Sequence, residues 1–289
     1  MVIPRLRPTR FPTVTRFPSV ARVPPGAALG LAVCALLLLA ALAPGLLSGT
    51  GPDAASPADS LLPPGAAHWM GTDENGRDVY SRVVHGARPS LLIGLSASAL
   101  ALAAGTVIGV LAAQGGRTAD RVAGRLLDVL MSIPGVLLVL LVVAVLGTGT
   151  GNLVAGLALV TLPGYARLVR AEVLRVRGSD YVEAATVLGW SRSQVVLRHI
   201  VPNAVGPLLA LATVGVGGMI VTGSALSFLG LGPQPPTAEW GAMLAGSGDY
   251  VEVAWWTAVF PGAAITLTVL AVSAVGQWLQ DRAEGRVAR

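Results

Sequence analysis

The sequence contains no lysine; all 20 of its basic residues are arginine. A nucleotide-binding loop of the form G-x-x-x-x-G-K-[ST] needs a lysine to reach the phosphates, so this chain cannot energise anything by that device. Charge of either sign is scarce: 12% of the 289 residues are charged, where a soluble domain carries about 25%. The single cysteine, Cys34, excludes an intrachain disulfide and a cysteine-built metal centre. The three histidines, His68, His85 and His199, are expected on both sides of a membrane, so no nucleophile with a base can be assembled from them, and an enzyme is not expected. The long apolar runs hold no clearly intramembrane Asp, Glu, Lys, Arg or His, since Asp128, Arg167 and His199 fall at their cytoplasmic ends. Repeated halves are absent too, and both absences weigh against a secondary transporter or channel, the alternative of another class.

What the sequence has in excess is apolar residues, 53% of the chain with a mean hydropathy of +0.69. Uncharged runs cover Val23 to Pro52, Pro89 to Gly116, Val129 to Ala166, Ile200 to Ala238 and Val253 to Gln280. A membrane span takes about 20 residues. The third run is too long for one helix and is broken by the polar, glycine-rich Gly147-Thr-Gly-Thr-Gly-Asn152. The expectation is an all-α polytopic membrane protein with about six transmembrane helices, near 27–47, 90–113, 128–147, 150–168, 205–229 and 256–279. The first run contains Ala41-Leu42-Ala43, which resembles a signal-peptide cleavage site, but it is longer than the core of a signal peptide; an uncleaved helix is the expected reading.

The basic pI needs no nucleic acid. With both termini inside, the cytoplasmic pieces hold 17 arginines against 7 acids, and the outer pieces 3 arginines against 8 acids. That is the arginine asymmetry expected of cytoplasmic loops. The first 25 residues, with five arginines, no acid and the near-repeat Thr9-Arg-Phe-Pro-Thr-Val14 and Thr15-Arg-Phe-Pro-Ser-Val20, are expected to form an Arg/Pro-rich cytoplasmic tail.

Between the fourth and fifth spans, Asp180-Tyr-Val-Glu183-Ala184-Ala185-Thr-Val-Leu-Gly189 predicts a short helix ending at a glycine, where a sharp turn is permitted. Ser191-Arg-Ser-Gln194 has capping-box spacing and predicts a second short helix that runs to Ile200 and stops near Pro202. The two alanines would let another protein's backbone come close. Taken from spacing alone, an interfacial linker helix is the favoured reading of the loop.

The order Glu183-Ala184-Ala185, then Gly189, then His199-Ile-Val-Pro202-Asn203 resembles the EAA loop of the permease subunits of bacterial ABC importers. Further segments resemble the dipeptide/oligopeptide/nickel subfamily and the "C" partner of its paired permeases: Gly71-Thr-Asp-Glu-Asn-Gly-Arg-Asp-Val-Tyr-Ser-Arg82, Gly86-Ala-Arg-Pro-Ser-Leu91, Asp128-Val-Leu-Met-Ser-Ile-Pro134, Pro163-Gly-Tyr-Ala-Arg-Leu-Val-Arg170 and Leu226-Ser-Phe-Leu-Gly-Leu-Gly-Pro-Gln-Pro-Pro236 with Trp240-Gly241. Gly223 stands where many members have a glutamate, and Gln277 and Gly285 where an acid and a proline are common.

The resemblance implies a type I ABC importer permease fold, without a cofactor, importing peptides, or alternatively nickel or another metal chelate. The implied partners are a second homologous permease, two ATP-binding subunits, an extracytoplasmic solute-binding protein and membrane lipid, with no nucleic acid. The implied ATPase-coupling residues are Glu183, Ala184, Ala185, Gly189, His199 and Pro202. The implied organisation is a tail (1–25), a first helix (26–48), an extracytoplasmic segment with a lateral helix (49–88), a type-1 transmembrane domain (89–280, with its coupling loop near 172–203) and a cytoplasmic C-terminus (281–289).

Two outer features carry rival readings. His68, Asp73, Glu74, Asp78 and His85 invite a metal site, but Arg77 and Val84 occupy ligand positions of a calcium loop, so Asn75-Gly76 is expected to be a turn and the acids to pair with arginines. Leu229 to Pro236 cannot continue a helix and either forms the outer mouth where a binding protein docks or a plain re-entrant connection. Trp240, Trp255 and Trp256 are expected in an interfacial aromatic belt, and Gly215, Gly217, Gly218 and Gly223 at close helix contacts.

Overall fold

A computed structural model describes residues 23–283; the expected basic tail and C-terminal segment lie, but for their inner ends, outside the described residues. Ten α-helices and no strand are found among the described residues: α1 Pro25–Leu42, α2 Val79–Gln114, α3 Gly116–Ser132, α4 Gly135–Leu146, α5 Thr150–Arg177, α6 Asp180–Val187, α7 Arg192–Val195, α8 Val201–Phe228, α9 Trp240–Ser247 and α10 Trp256–Ala283. Five of these are long and apolar enough to cross a membrane, and the bent pair α3 and α4 makes a sixth if it counts as one span.

The pair α3 and α4 departs from the expected single helix at 128–147. Pro134 follows Ile133, and a residue before proline is driven out of the α region; Ile133 sits at φ −92°, ψ 127°. The two helices therefore meet at 91°. With 12 residues α4 reaches about 18 Å, short of the roughly 30 Å hydrocarbon core. The expected break after α4 is present: Gly147 and Gly149 adopt φ of +90° and +139°, and Asn152 Nδ2 donates to the carbonyls of Leu146 and Gly147 at 2.9 Å.

The expected lateral helix before residue 89 is no separate element; it is the first part of α2, which runs on through Pro89. Asp78 caps that helix, accepting from Ser81 N at 2.8 Å. The helix α5 continues past the expected end at 168 to Arg177.

The central pair is α2 and α5. Gly105 and Gly109 of α2, four apart, let the backbones meet: a Cβ on Gly109 would lie 2.6 Å from the carbonyl oxygen of Ala166. Around this pair, Ile93, Ala97, Val139, Leu153, Leu157 and Leu226 fill one side, and α1, α9 and α10 close another around Trp240. Gly215 and Gly223 serve packing as expected: Cβ atoms there would come within 2.5 Å of the Tyr165 hydroxyl and 2.8 Å of Ile93 Cγ2.

Candidate functional site

The loop between α5 and α8 folds as helix, turn, helix. After Arg177 the chain turns at Gly178 and Ser179, and α6 begins with Asp180 and Glu183 in its first turn, where acids suit the helix dipole. Gly189 ends it at φ +83°, a conformation that costs an L-residue roughly 1–2 kcal/mol, while a Cβ there would meet nothing within 4 Å. The turn is thus glycine-dependent through its backbone and open towards any partner.

Ser191 then starts α7 with the expected capping box: its hydroxyl accepts from Gln194 N, and Gln194 Oε1 accepts from Ser191 N at 3.1 Å. The helix does not stop near Pro202, as the sequence predicts. Pro202 has no N–H to give, and its ring would clash with the carbonyl four residues back. The chain answers by widening to a π-helical turn over Val196–Ile200 and passes without a break into α8, with Pro202 in its first turn. From Arg192 to Phe228 the helical backbone has no break.

The two alanines part company. Ala185 is buried with Val173, Val176, Val182, Val195 and Ile200 in the cluster that seats the loop on α5 and α8, whereas Ala184 and Glu183 are exposed. Ala185 therefore packs inside the loop's own core. At the tip, Val187 and Leu188 are 82% and 78% exposed, two apolar residues held clear of the protein beside Gly189. His199 is half-buried, edge-on to Trp190 with ring centroids 4.9 Å apart, while Arg198 lies 5.8 Å over the same indole. Its Nε2 is buried with no hydrogen-bond partner among the described residues. Pro202 is exposed and follows directly on the π-helical turn.

The loop is fastened to α2. Arg192 donates to the carbonyl of Gln114, and Arg177 Nη1 to that of Ala113 at 3.5 Å, so two guanidiniums meet the free carbonyls at the end of α2. Between them lies a cavity of about 490 Å³ bordered by Gln114, Arg177, Glu183, Trp190 and Arg192. Nothing in the sequence hinted at this fastening, whereas two apolar residues closing a short helix before glycine were a legible sign of the exposed Val187-Leu188 tip.

The opposite end of the bundle is built on ion pairs. Asp73 accepts from the main chain of Asn75 and Arg77, both at 2.9 Å, and from Arg77 Nε at 2.7 Å; Arg77 also reaches Glu74 at 3.0 Å. Asn75-Gly76 is the expected turn, with Gly76 at φ +70°. His68 pairs with Asp78 at 2.8 Å, and among the described residues no group of three or more His, Cys, Asp or Glu is placed to hold a metal ion.

Leu229 to Glu239 crosses to the short α9, capped by Glu239, which accepts from Gly241 N and Ala242 N and from Ser90 Oγ at 3.0 Å. Glu239 is fully buried and was not singled out by its sequence context, where only its position before Trp240-Gly241 marks it. The expected aromatic belt fails for two of its three members: Trp240 and Trp256 are buried and donate to the carbonyls of Val83 at 2.9 Å and Thr72 at 3.0 Å, leaving Trp255 exposed.

Residues 105–289 match the family model described as "Binding-protein-dependent transport system inner membrane component". The chain belongs to this family. Among curated relatives, the dipeptide transport system permease protein of Alkalihalophilus pseudofirmus is 38% identical over 255 residues, 88% of this chain and 84% of that protein. The di/tripeptide transport system permease protein of Pseudomonas aeruginosa is 44% identical over 223 residues, 77% and 74% of the two chains. A glutathione transport system permease protein of Escherichia coli is 42% identical over 224 residues, 78% and 74%. The inward-facing MetNI methionine ABC transporter shares the fold, with a TM-score of 0.56 at 20% identity over 72% of this chain and 96% of that one. A family member of this kind is a multi-pass inner-membrane permease subunit of an ABC importer, a transport component and not an enzyme. By its description the family is binding-protein-dependent, so a solute-binding protein is its partner.

Proposed function

We infer that this permease forms half of a translocation path for peptides, with a second, homologous permease supplying the other half, and that the loop from Gly178 to Ile200 is where an ATP-binding subunit docks. The single observation carrying the docking site is the exposed Val187-Leu188-Gly189 tip on a frame that runs into α8 without a break. Glu183, Ala184 and Gly189 meet the ATPase, Ala185 and Pro202 shape the frame, and His199 with Trp190 braces it. When two ATPase subunits close on ATP, a push on α7 reaches the membrane as movement of α8, because the helical backbone is unbroken between them.

In this reading the loop end is cytoplasmic, which the arginine asymmetry supports. The ion-paired segment and α9 then face the solute-binding protein. Peptide as cargo is supported by the names of the relatives at 38–44% identity.

The test is to co-purify the permease with its partners, reconstitute the complex and follow ATP-driven uptake of labelled di- and oligopeptides. Gly189→Leu should leave the complex inserted and hydrolysing ATP with uptake lost at least tenfold. Normal uptake by that variant overturns the docking site, and uptake of a nickel chelate in place of peptide overturns the cargo.

A further inference from the structure

The helix α3 divides its surface into three. Towards the protein it buries Leu127, and Arg170 Nη2 of α5 reaches Asp120 at 2.7 Å, while Asp128, exposed and on the same side of the helix as the arginines of the first stripe, pairs with Arg167 of α5. Arg117, Arg121 and Arg125, spaced four apart, form one exposed stripe. None of the three makes an ion pair or hydrogen bond among the described residues. Val122, Leu126 and Val129 form a second exposed stripe, about a third of a turn round the helix from the first.

The chain bends by 91° where α3 passes into α4.

We propose that α3 is a docking surface for anionic phospholipid of the inner leaflet, with Arg117, Arg121 and Arg125 on headgroup phosphates and Val122, Leu126 and Val129 among the acyl chains. Charge selects this occupant. A protein face would have to bring acids to three guanidiniums and apolar groups to the stripe beside them, whereas the boundary of an anionic bilayer offers both at this spacing. The two acids that would repel phosphate are neutralised by α5. The inference rests on the cytoplasmic placement of the loop end, because Gln114 both anchors that loop and leads into α3.

The test uses the assembled complex with its permease and ATPase partners in nanodiscs of phosphatidylcholine with or without phosphatidylglycerol. Native mass spectrometry should find phosphatidylglycerol retained in preference to phosphatidylcholine. Arg117→Gln, Arg121→Gln and Arg125→Gln together should lower that preference at least fivefold, and the corresponding triple lysine variant should keep it. Unchanged preference in the glutamine variant overturns the proposal.

If that variant does not assemble, the single substitutions Arg121→Gln and Arg121→Glu are compared and must show a graded loss. A second measurement places an environment-sensitive dye on Val122→Cys in a Cys34→Ser background. Emission from an acyl environment is expected, and emission from water, or a crosslink from this site to the second permease, overturns the assignment. Labelling of loop residues from either side of sealed vesicles separates the two readings: an externally accessible loop defeats the topology, while an internal loop with no lipid preference defeats only the lipid site.

Discussion

Arg192, the first residue of α7, donates a guanidinium N–H to the main-chain oxygen of Gln114, the last residue of α2. One bond thereby joins the proposed docking loop to the helix that packs most closely on α5. Arg192→Ala should cost the fold about 1 kcal/mol or less, since both partners are exposed to water. Its larger effect is expected on coupling: peptide taken up per ATP hydrolysed should fall several-fold while hydrolysis persists. Reconstituted vesicles assayed for both quantities check this.

Ala184 and Ala185, adjacent in sequence, should respond oppositely. Ala185→Leu adds volume inside the cluster of Val173, Val182 and Val195 and should destabilise by about 1–3 kcal/mol, seen as a lower melting temperature of the purified permease. Ala184→Leu should leave the melting temperature unchanged and weaken ATPase retention on an affinity column. Identical behaviour of the two would contradict the observed burial.

Leu188→Asp puts a charge on the exposed tip, where the isolated permease loses nothing. The expected result is normal insertion with at least tenfold less ATPase subunit co-purified. Insertion is read by membrane fractionation, so a folding defect is seen separately.

Glu239→Ala removes the cap of α9 and leaves Ser90 without its acceptor. A loss of about 1–2 kcal/mol is expected, with faster amide exchange confined to α9 and its neighbours on α2. Ser90→Ala should show a milder version, because the two backbone amides of Gly241 and Ala242 keep the carboxylate in place.

Gly223→Ala should be destabilising even though it improves helix propensity, because the new Cβ would come within 2.8 Å of Ile93 Cγ2 and 3.4 Å of Leu157 Cδ1. A glutamate at this position would need a wider space between α8 and its neighbours than this chain has. Thermal denaturation of the two variants beside the parent orders them: parent, alanine, glutamate.

The amino-acid sequence by itself determined the features that are settled within a turn or two of backbone. The capping box at Ser191 and Gln194, the positive φ at Gly189 and Gly76, and the break at Gly147 to Asn152 depend on local dihedrals and nearby hydrogen bonds, and all were legible. The absence of lysine and the long uncharged runs are likewise facts of composition.

The tertiary structure alone decided which side of each element is covered. Ala185 is inside and Ala184 outside because α5 and α8 lie on one side of α6; Trp240 and Trp256 are buried because Val83 and Thr72, far away in sequence, offer carbonyls to their indoles. Pro202 marks a helix end by local rule, yet the helix continues through it, with Val195, Ile200 and Ala204 packed in one cluster across the widened turn. Burial is a property of pairs of elements, and no short window of sequence contains both members of the pair.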